Sequence, residues 1–401
     1  MSAPEVSIGA VATPGGVTTT HRPALRFDRA EWSGALGDLG TDLPLLVGMI
    51  AAAGLDPVRV FGVYGVLQIA SGVVYRMPMP VQPLKAVAAI VIAGGIGAPV
   101  LAAGGLAIGA IMLLLAATGL LDRLQQWIPP LVVRAIQFGL AVQLARLALT
   151  TFVPAHGTGG VVVAALVLVA ALVQAGNRRV PPAFAVLPIG FAWAAWRAWQ
   201  GVPPSPTAGP AGWTLAEVFD PATLGRGLLL LALPQLALSL GNSVLATRRI
   251  ALDLFPDRAP GVRRIGLTYA AMNLVAPFVG GVPVCHGSGG IAGHHAFGAR
   301  TGGSVVLYGG GWLVAAVLAA AAPASLLLLF PAPLLGALLL IESLALVRLL
   351  QDVPGDIVAW GLVLLLGAVA AFVPYGYAWA LVTGALVVPR LLPTLPSRIR
   401  S

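Results

Sequence analysis

Long, nearly unbroken apolar stretches fill this chain, and its polar residues fall in short clusters with Pro, Gly and Arg. A helix needs about 20 apolar residues to cross a bilayer, and fewer where it is broken or buried in protein. Cut at those clusters, the pattern predicts spans near 33–53, 58–75, 82–96, 100–121, 128–149, 161–176 and 181–199. A second series follows near 225–247, 263–280, 286–298, 303–322, 331–350, 355–372 and 374–392. The reading is therefore an all-α polytopic membrane protein of about fourteen transmembrane segments. Residues 1–30 read as a cytosolic tail without the apolar core of a signal peptide. Residues 31–200 and 225–392 hold the two seven-span units, 201–224 a Pro- and Gly-rich linker, and 393–401 a cytosolic C-terminal tail.

Composition agrees. Hydrophobic residues make up 58% of the 401 and charged residues only 9%, against about 25% charged in a soluble domain. A soluble globule of this size has no way to hide so much apolar surface, which excludes a soluble enzyme and a disordered chain. The net charge of +9 implies no nucleic acid here, because basic residues gather in the cytosolic loops of membrane proteins. With the N-terminus inside, Arg22, Arg26, Arg29, Arg123, Arg178, Arg179, Arg248, Arg249, Arg258, Arg263, Arg264, Arg300, Arg348, Arg390, Arg398 and Arg400 fall on the cytosolic side. Arg59, Arg146, Arg197 and Arg226 fall on the other. That bias, with an even number of spans, puts both termini in the cytosol of a cell-membrane protein.

The two series echo one another. Gly37-Asp38 matches Gly241-Asn242 at offset 204, and Met79-Pro80-Val81-Gln82-Pro83 matches Val282-Pro283-Val284-Cys285-His286 at 203. Ile128-Pro129-Pro130 with Arg146 matches Phe330-Pro331-Ala332 with Arg348 at 202. Seven is odd, so the second copy enters the membrane upside down. Such a 7+7 inverted repeat marks secondary transporters that hold substrate at mid-membrane.

Two spans are broken. Pro78, Pro80 and Pro83 remove backbone donors and block a continuous helix, and Pro83 suits the first position of a new one. Pro283 and the glycines around it do the same in the second copy, where His286 or Ser288 is placed to cap a half-helix. Extended backbone at membrane depth survives only inside protein or along a cavity. Two opposed half-helix starts would offer free N–H groups and partial positive charge, a pocket for an anion. The bland alternative is a pair of kinks that only shapes packing.

Lys85, the chain's one lysine, falls in the first turn of the first half-helix and adds a full positive charge; alternatively it snorkels to the interface. Asp38, Asp42 and Glu342 are intramembrane acids, candidates for proton coupling, for partners of Lys85, or for simple caps and ion pairs. Asp42, just before Leu43-Pro44, sits toward the interface. His294-His295 have no carboxylate or thiol in the local run, so no metal is expected. Cys285-His286 has a nucleophile and a base in composition only, so no catalysis is expected, and no cofactor. Arg134 reads as a helix-end anchor.

At these residues the chain resembles the molybdate transporter family, a branch of the sulfate permease superfamily without a STAS domain. The resemblance rests on Gly34-Ala-Leu-Gly-Asp-Leu-Gly-Thr-Asp-Leu-Pro44, Pro80-Val-Gln-Pro-Leu-Lys-Ala-Val-Ala-Ala89, Pro283-Val-Cys-His-Gly-Ser-Gly-Gly-Ile-Ala-Gly293 and Phe297-Gly-Ala-Arg-Thr-Gly302, and covers about residues 31–392. It implies a core bundle of spans one to four and eight to eleven, which moves against a gate bundle of the rest. It also implies an oxyanion between the third and tenth spans. Gln82, Lys85 and the amides after Pro83 would line one side; His286, Gly287, Ser288 and Gly289 the other; Asp38 and Asn242 the border. The function expected is secondary uptake of molybdate by alternating access, with proton coupling through a carboxylate such as Asp38. Alternatives are sulfate or tungstate, a nucleobase permease of the same fold, or a non-transporting membrane protein. The partners expected are the oxyanion and the lipid bilayer, and a homodimer is compatible with the reading.

Overall fold

The computed structural model describes residues 24–121, 123, 129–174, 183–201, 213–321 and 331–391. Most of the expected N-terminal tail, residues 202–212 of the linker and the tail 393–401 lie outside the described residues. The rest of the linker is folded into short helices.

The first half runs α1 (Arg29–Ala35), α2 (Leu39–Ala53), α3 (Pro57–Tyr75), β1 (Val81–Pro83), α4 (Lys85–Gly94), α5 (Ala98–Thr118), α6 (Pro130–Leu147), α7 (Gly157–Gln174) and α8 (Ala183–Trp199). The second runs α9 (Leu215–Phe219), α10 (Pro221–Arg226), α11 (Leu233–Leu238), α12 (Thr247–Leu254), α13 (Val262–Val275), β2 (Val284–His286), α14 (Ser288–Ala296), α15 (Gly303–Ala321), α16 (Ala332–Arg348), α17 (Ile357–Phe372) and α18 (Gly376–Leu391). Wider π-type turns over Gly227–Ala232 and Ser239–Ala246 join α10, α11 and α12 into one bent rod.

Local chemistry sets the ends. The Asp28, Asp56 and Asp356 carboxylates accept from first-turn amides of α1, α3 and α17, satisfying donors that a helix start leaves free. Thr214 and Glu217 form a reciprocal capping box on α9. Gly54 and Gly95 end α2 and α4 in the left-handed conformation.

Five helices among the described residues are long and apolar enough to cross a membrane, or seven if two bent pairs are each counted as one. The expected fourteen segments are thus not reached by length and composition. Several apolar helices are short: α4 has 10 residues, α17 and α18 have 16 each. α14 has 9, and extended backbone precedes both α4 and α14.

Those extended pieces are the centre of the molecule. β1 and β2 pair antiparallel, with Val81 opposite His286, Gln82 opposite Cys285, and Pro83 opposite Val284. All six residues are buried. Two strands of three residues leave outer backbone edges unpaired, and in an apolar interior those edges need partners. Two side-chain amides supply them. Gln68 on α3 accepts from Val81 N–H at 2.9 Å and donates to Val81 C=O at 2.7 Å. Asn273 on α13 accepts from Val284 N–H at 2.9 Å and donates to Val284 C=O at 2.6 Å. Each amide acts as a one-residue strand.

The helices pack in two groups. In the first, α3 lies along α15, α5 along α13, and α2 on α4. In the second, α6 packs on α16, α17 and α18, and α16 also on α7. The groups meet where α16 touches α2, α6 touches α4 and α11, and α18 touches α11.

Replacing Gln68 or Asn273 by Leu strips a buried N–H and C=O of their partners, at about 1–3 kcal/mol per group. Each variant should melt well below the wild type in detergent. Val314→Ala, at a position 59% exposed, should not. Equal melting of all three would contradict the role given to the amides.

Candidate functional site

β1 and β2 place Gln82 and Cys285 opposite one another at the middle of the ribbon, and α4 and α14 start just beyond opposite strand ends. Alternation along a strand sends neighbouring side chains to opposite faces. Gln82 and Cys285 therefore line a small inner cavity with Lys85, Leu140, Gln235, Leu238, Asn242 and Ser243. Its volume is about 10 Å³, room for roughly one water. Asn242 also borders a second cavity of about 190 Å³, lined by Pro130, Val133, Arg134, Gln137 and the 240–246 turn. Both cavities lie between the two packing groups.

Lys85 is the first residue of α4, and its ammonium is paired with Glu342 Oε1 on α16. The second carboxylate oxygen accepts from Thr41 Oγ1 on α2 at 3.0 Å. The lysine side chain is 18% exposed and the glutamate 6%, so Lys85 does not snorkel to an interface. Glu342 thereby ties one group to two helices of the other.

Asp38 stands just before α2, buried, and accepts from Gln82 Nε2 at 2.7 Å through Oδ1. Its Oδ2 is buried with no hydrogen-bond partner among the described residues. Asp42 is fully buried. Tyr64 and Tyr308 hydroxyls lie 2.6 and 2.9 Å from its Oδ2, because α3 and α15 close over this turn of α2. Close approach here depends on two glycines. A Cβ on Gly287 would stand 1.6 Å from Gln82 Oε1, and one on Gly290 would stand 2.4 Å from Asp38 Oδ2.

Several expected roles change in detail. Pro83 is the last residue of β1, and the helix begins two residues later, so it precedes the half-helix rather than opening it. Gly287 occupies the cap position of α14 and no side chain caps that helix. Ser288 instead donates to Asn242 Oδ1 at 3.2 Å. His286, one residue along the strand from Cys285, faces away from the inner cavity. Its Nε2 lies 2.9 Å from Thr268 Oγ1 and its ring meets the edge of Tyr75. Gly287, Ser288 and Gly289 form the start of α14 beside Gln82 and Asp38, without lining the inner cavity. Arg134, in the second turn of α6, holds Gln137 and Asp352 at 2.9 and 2.5 Å.

Gln235, Ser243 and Cys285 line the cavity without having been expected there. Gln235 Oε1 accepts from the first-turn amides of Ala86 and Val87 at 3.2 and 3.4 Å. Its Nε2 donates to Ser239 Oγ at 3.3 Å, and that hydroxyl meets Tyr269 OH at 2.7 Å. The sequence carried a signal: Gln235, Ser239 and Ser243 recur every four residues in an apolar run, one polar stripe on a helix face.

A family model described as the molybdate transporter of the MFS superfamily matches residues 30–144 and 227–346. The chain belongs to the molybdate transporter family. It is 31% identical over 371 residues to molybdate transporter 1 of Arabidopsis thaliana, covering 82% of this chain and 81% of that protein. Molybdate transporter 1 of Chlamydomonas reinhardtii is 27% identical over 475 residues, covering 90% and 87%. Among solved structures, the chain resembles the transmembrane domain of a cyanobacterial bicarbonate transporter, BicA, with TM-score 0.62, 15% identity, and 87% and 97% of the two chains covered. SLC26A9 gives TM-score 0.65 at 11% identity, with 90% and 65% covered. At those identities the likeness is one of fold, and family and fold together make the chain a multi-pass membrane protein. This member of the molybdate transporter family places its one lysine against the inner cavity.

Breaking a buried ion pair from one side leaves an uncompensated charge. Lys85→Met and Glu342→Gln should each lower the melting temperature more than the double variant does. Additive losses would show that the two groups do not share one interaction.

Proposed function

We propose that this chain is a secondary transporter that imports molybdate, bound at the start of α4 beside Lys85, by alternating access. The observation that carries this reading is the convergence on one buried cavity of a full cation, a half-helix start and the Gln82 and Asn242 amides. A tetrahedral dianion leaving water needs many donors at once. These groups supply them without a catalytic residue. Family membership supports the substrate.

Core and gate motion fits the two packing groups. α1–α5 and α9–α15 form the moving core, α6–α8 and α16–α18 the gate, and the cavities lie at their seam. The ribbon also supports the inverted repeat: at the sequence offset of 203, the pair Val81 and His286 exchanges with the pair Val284 and Pro83. Gln68 and Asn273 play matching parts in the two halves. Both termini face the cytosol in this reading, by the arginine bias, and the membrane is the cell membrane.

Charge balance supports proton coupling. Lys85 is one positive charge among three buried carboxylates, Asp38, Asp42 and Glu342. Fully ionised, that cluster repels a dianion, and repulsion in a buried setting is little screened. An oxyanion enters such a cluster with protons, and Asp38 and Glu342, nearest Gln82 and Lys85, are the carriers.

Proteoliposomes should take up labelled molybdate, with tungstate competing and sulfate competing less. Uptake should rise as the outside pH falls and collapse with a protonophore. Lys85→Ala should cut molybdate affinity at least tenfold while the protein stays folded. Equal competition by sulfate would reassign the oxyanion, uptake indifferent to pH and protonophore would remove the coupling, and unchanged affinity in Lys85→Ala would remove the site.

A further inference from the structure

The α4 donors that an oxyanion would use already hold an acceptor. Gln235 reaches across from α11, and its Oε1 takes both first-turn amides, Ala86 and Val87. Only the amide's oxygen can meet two backbone N–H groups, and its Nε2 is turned to Ser239 Oγ. Ser239 is in turn fixed by Tyr269. All three side chains are almost completely buried. The carbonyl oxygen therefore stands at the positive end of a helix, facing the cavity of Lys85, where an oxyanion's oxygen would stand. The remaining cavity of about 10 Å³ has no room for a tetrahedral oxyanion beside it.

We propose that Gln235 is a built-in surrogate for a substrate oxygen, which satisfies the α4 amides between transport cycles and swings aside when the oxyanion takes them. It is thus a specificity-determining residue that sets affinity by competition. The inference rests on the oxyanion reading above. A neutral carbonyl holds amides weakly enough to be displaced by a dianion, since charge-assisted hydrogen bonds are about twice as strong as neutral ones. It still spares two buried N–H groups the cost of having no partner. Glutamate at this position would change the balance: a tethered carboxylate beside Lys85 would hold the same amides permanently.

The test is equilibrium molybdate binding, by calorimetry and by ligand-dependent melting, on purified wild type, Gln235→Ala and Gln235→Glu. Gln235→Ala should melt lower without molybdate, bind it about fivefold tighter, the scale of one hydrogen bond freed from competition, and show a larger molybdate-induced rise in melting temperature. Gln235→Glu should melt at or above the wild type and show no binding at a hundred times the wild-type Kd. A simple structural cap predicts that Gln235→Ala lowers both melting curves equally with affinity unchanged, and a direct ligand predicts weaker binding. Either result overturns the proposal, as does wild-type affinity in Gln235→Glu. The glutamate variant keeps its cap, so wild-type affinity in it overturns the proposal even if the alanine variant fails to fold. A wild type that binds no oxyanion at all would instead remove the functional reading itself.

Discussion

Extended backbone deep in a membrane protein has to find hydrogen-bond partners inside the protein, and that requirement organises this molecule. Prolines at 78, 80, 83 and 283 forbid helix where two short spans begin. The segments solve the problem by pairing with each other, and Gln68 and Asn273 close the outer edges. Helices then begin in the interior, at Lys85 and Ser288. Their first-turn amides are the donors left over. The site is a consequence of how the backbone is satisfied.

The same logic explains why the polar groups of the site are so closely shared. Nearly every donor facing the inner cavity is matched by an acceptor of the chain: Lys85 by Glu342, Gln82 by Asp38, the α4 amides by Gln235. A buried cation or amide without a partner is costly, so each is matched from within the chain. Each of these partners belongs to a neighbouring segment. Glu342 connects the two packing groups through Lys85 and Thr41.

The fold relation with BicA and SLC26A9 extends over most of the chain at 11–15% identity. At such distance the likeness is one of fold. The charge cluster, one lysine and three carboxylates, is read from this chain's own residues.

The sequence alone determined that the chain lives in a membrane, because apolar runs of that length have no other solvent. It also determined where helices must break, because proline has no N–H to give, and it singled out Lys85, Asp38 and Glu342, because charge in an apolar run is costly. The resemblance to the molybdate transporter family pointed to Gln82 and Asn242, and both line the inner cavity. The sequence did not reveal which face of β2 meets the cavity, because a period of two separates Cys285 from His286 only once the register is known. Nor did it reveal that Asp42 is sealed by Tyr64 and Tyr308, or that Gln235 reaches α4 across 149 residues of sequence. Those are contacts between distant segments, decided by how helices pack and which donors they leave unpaired.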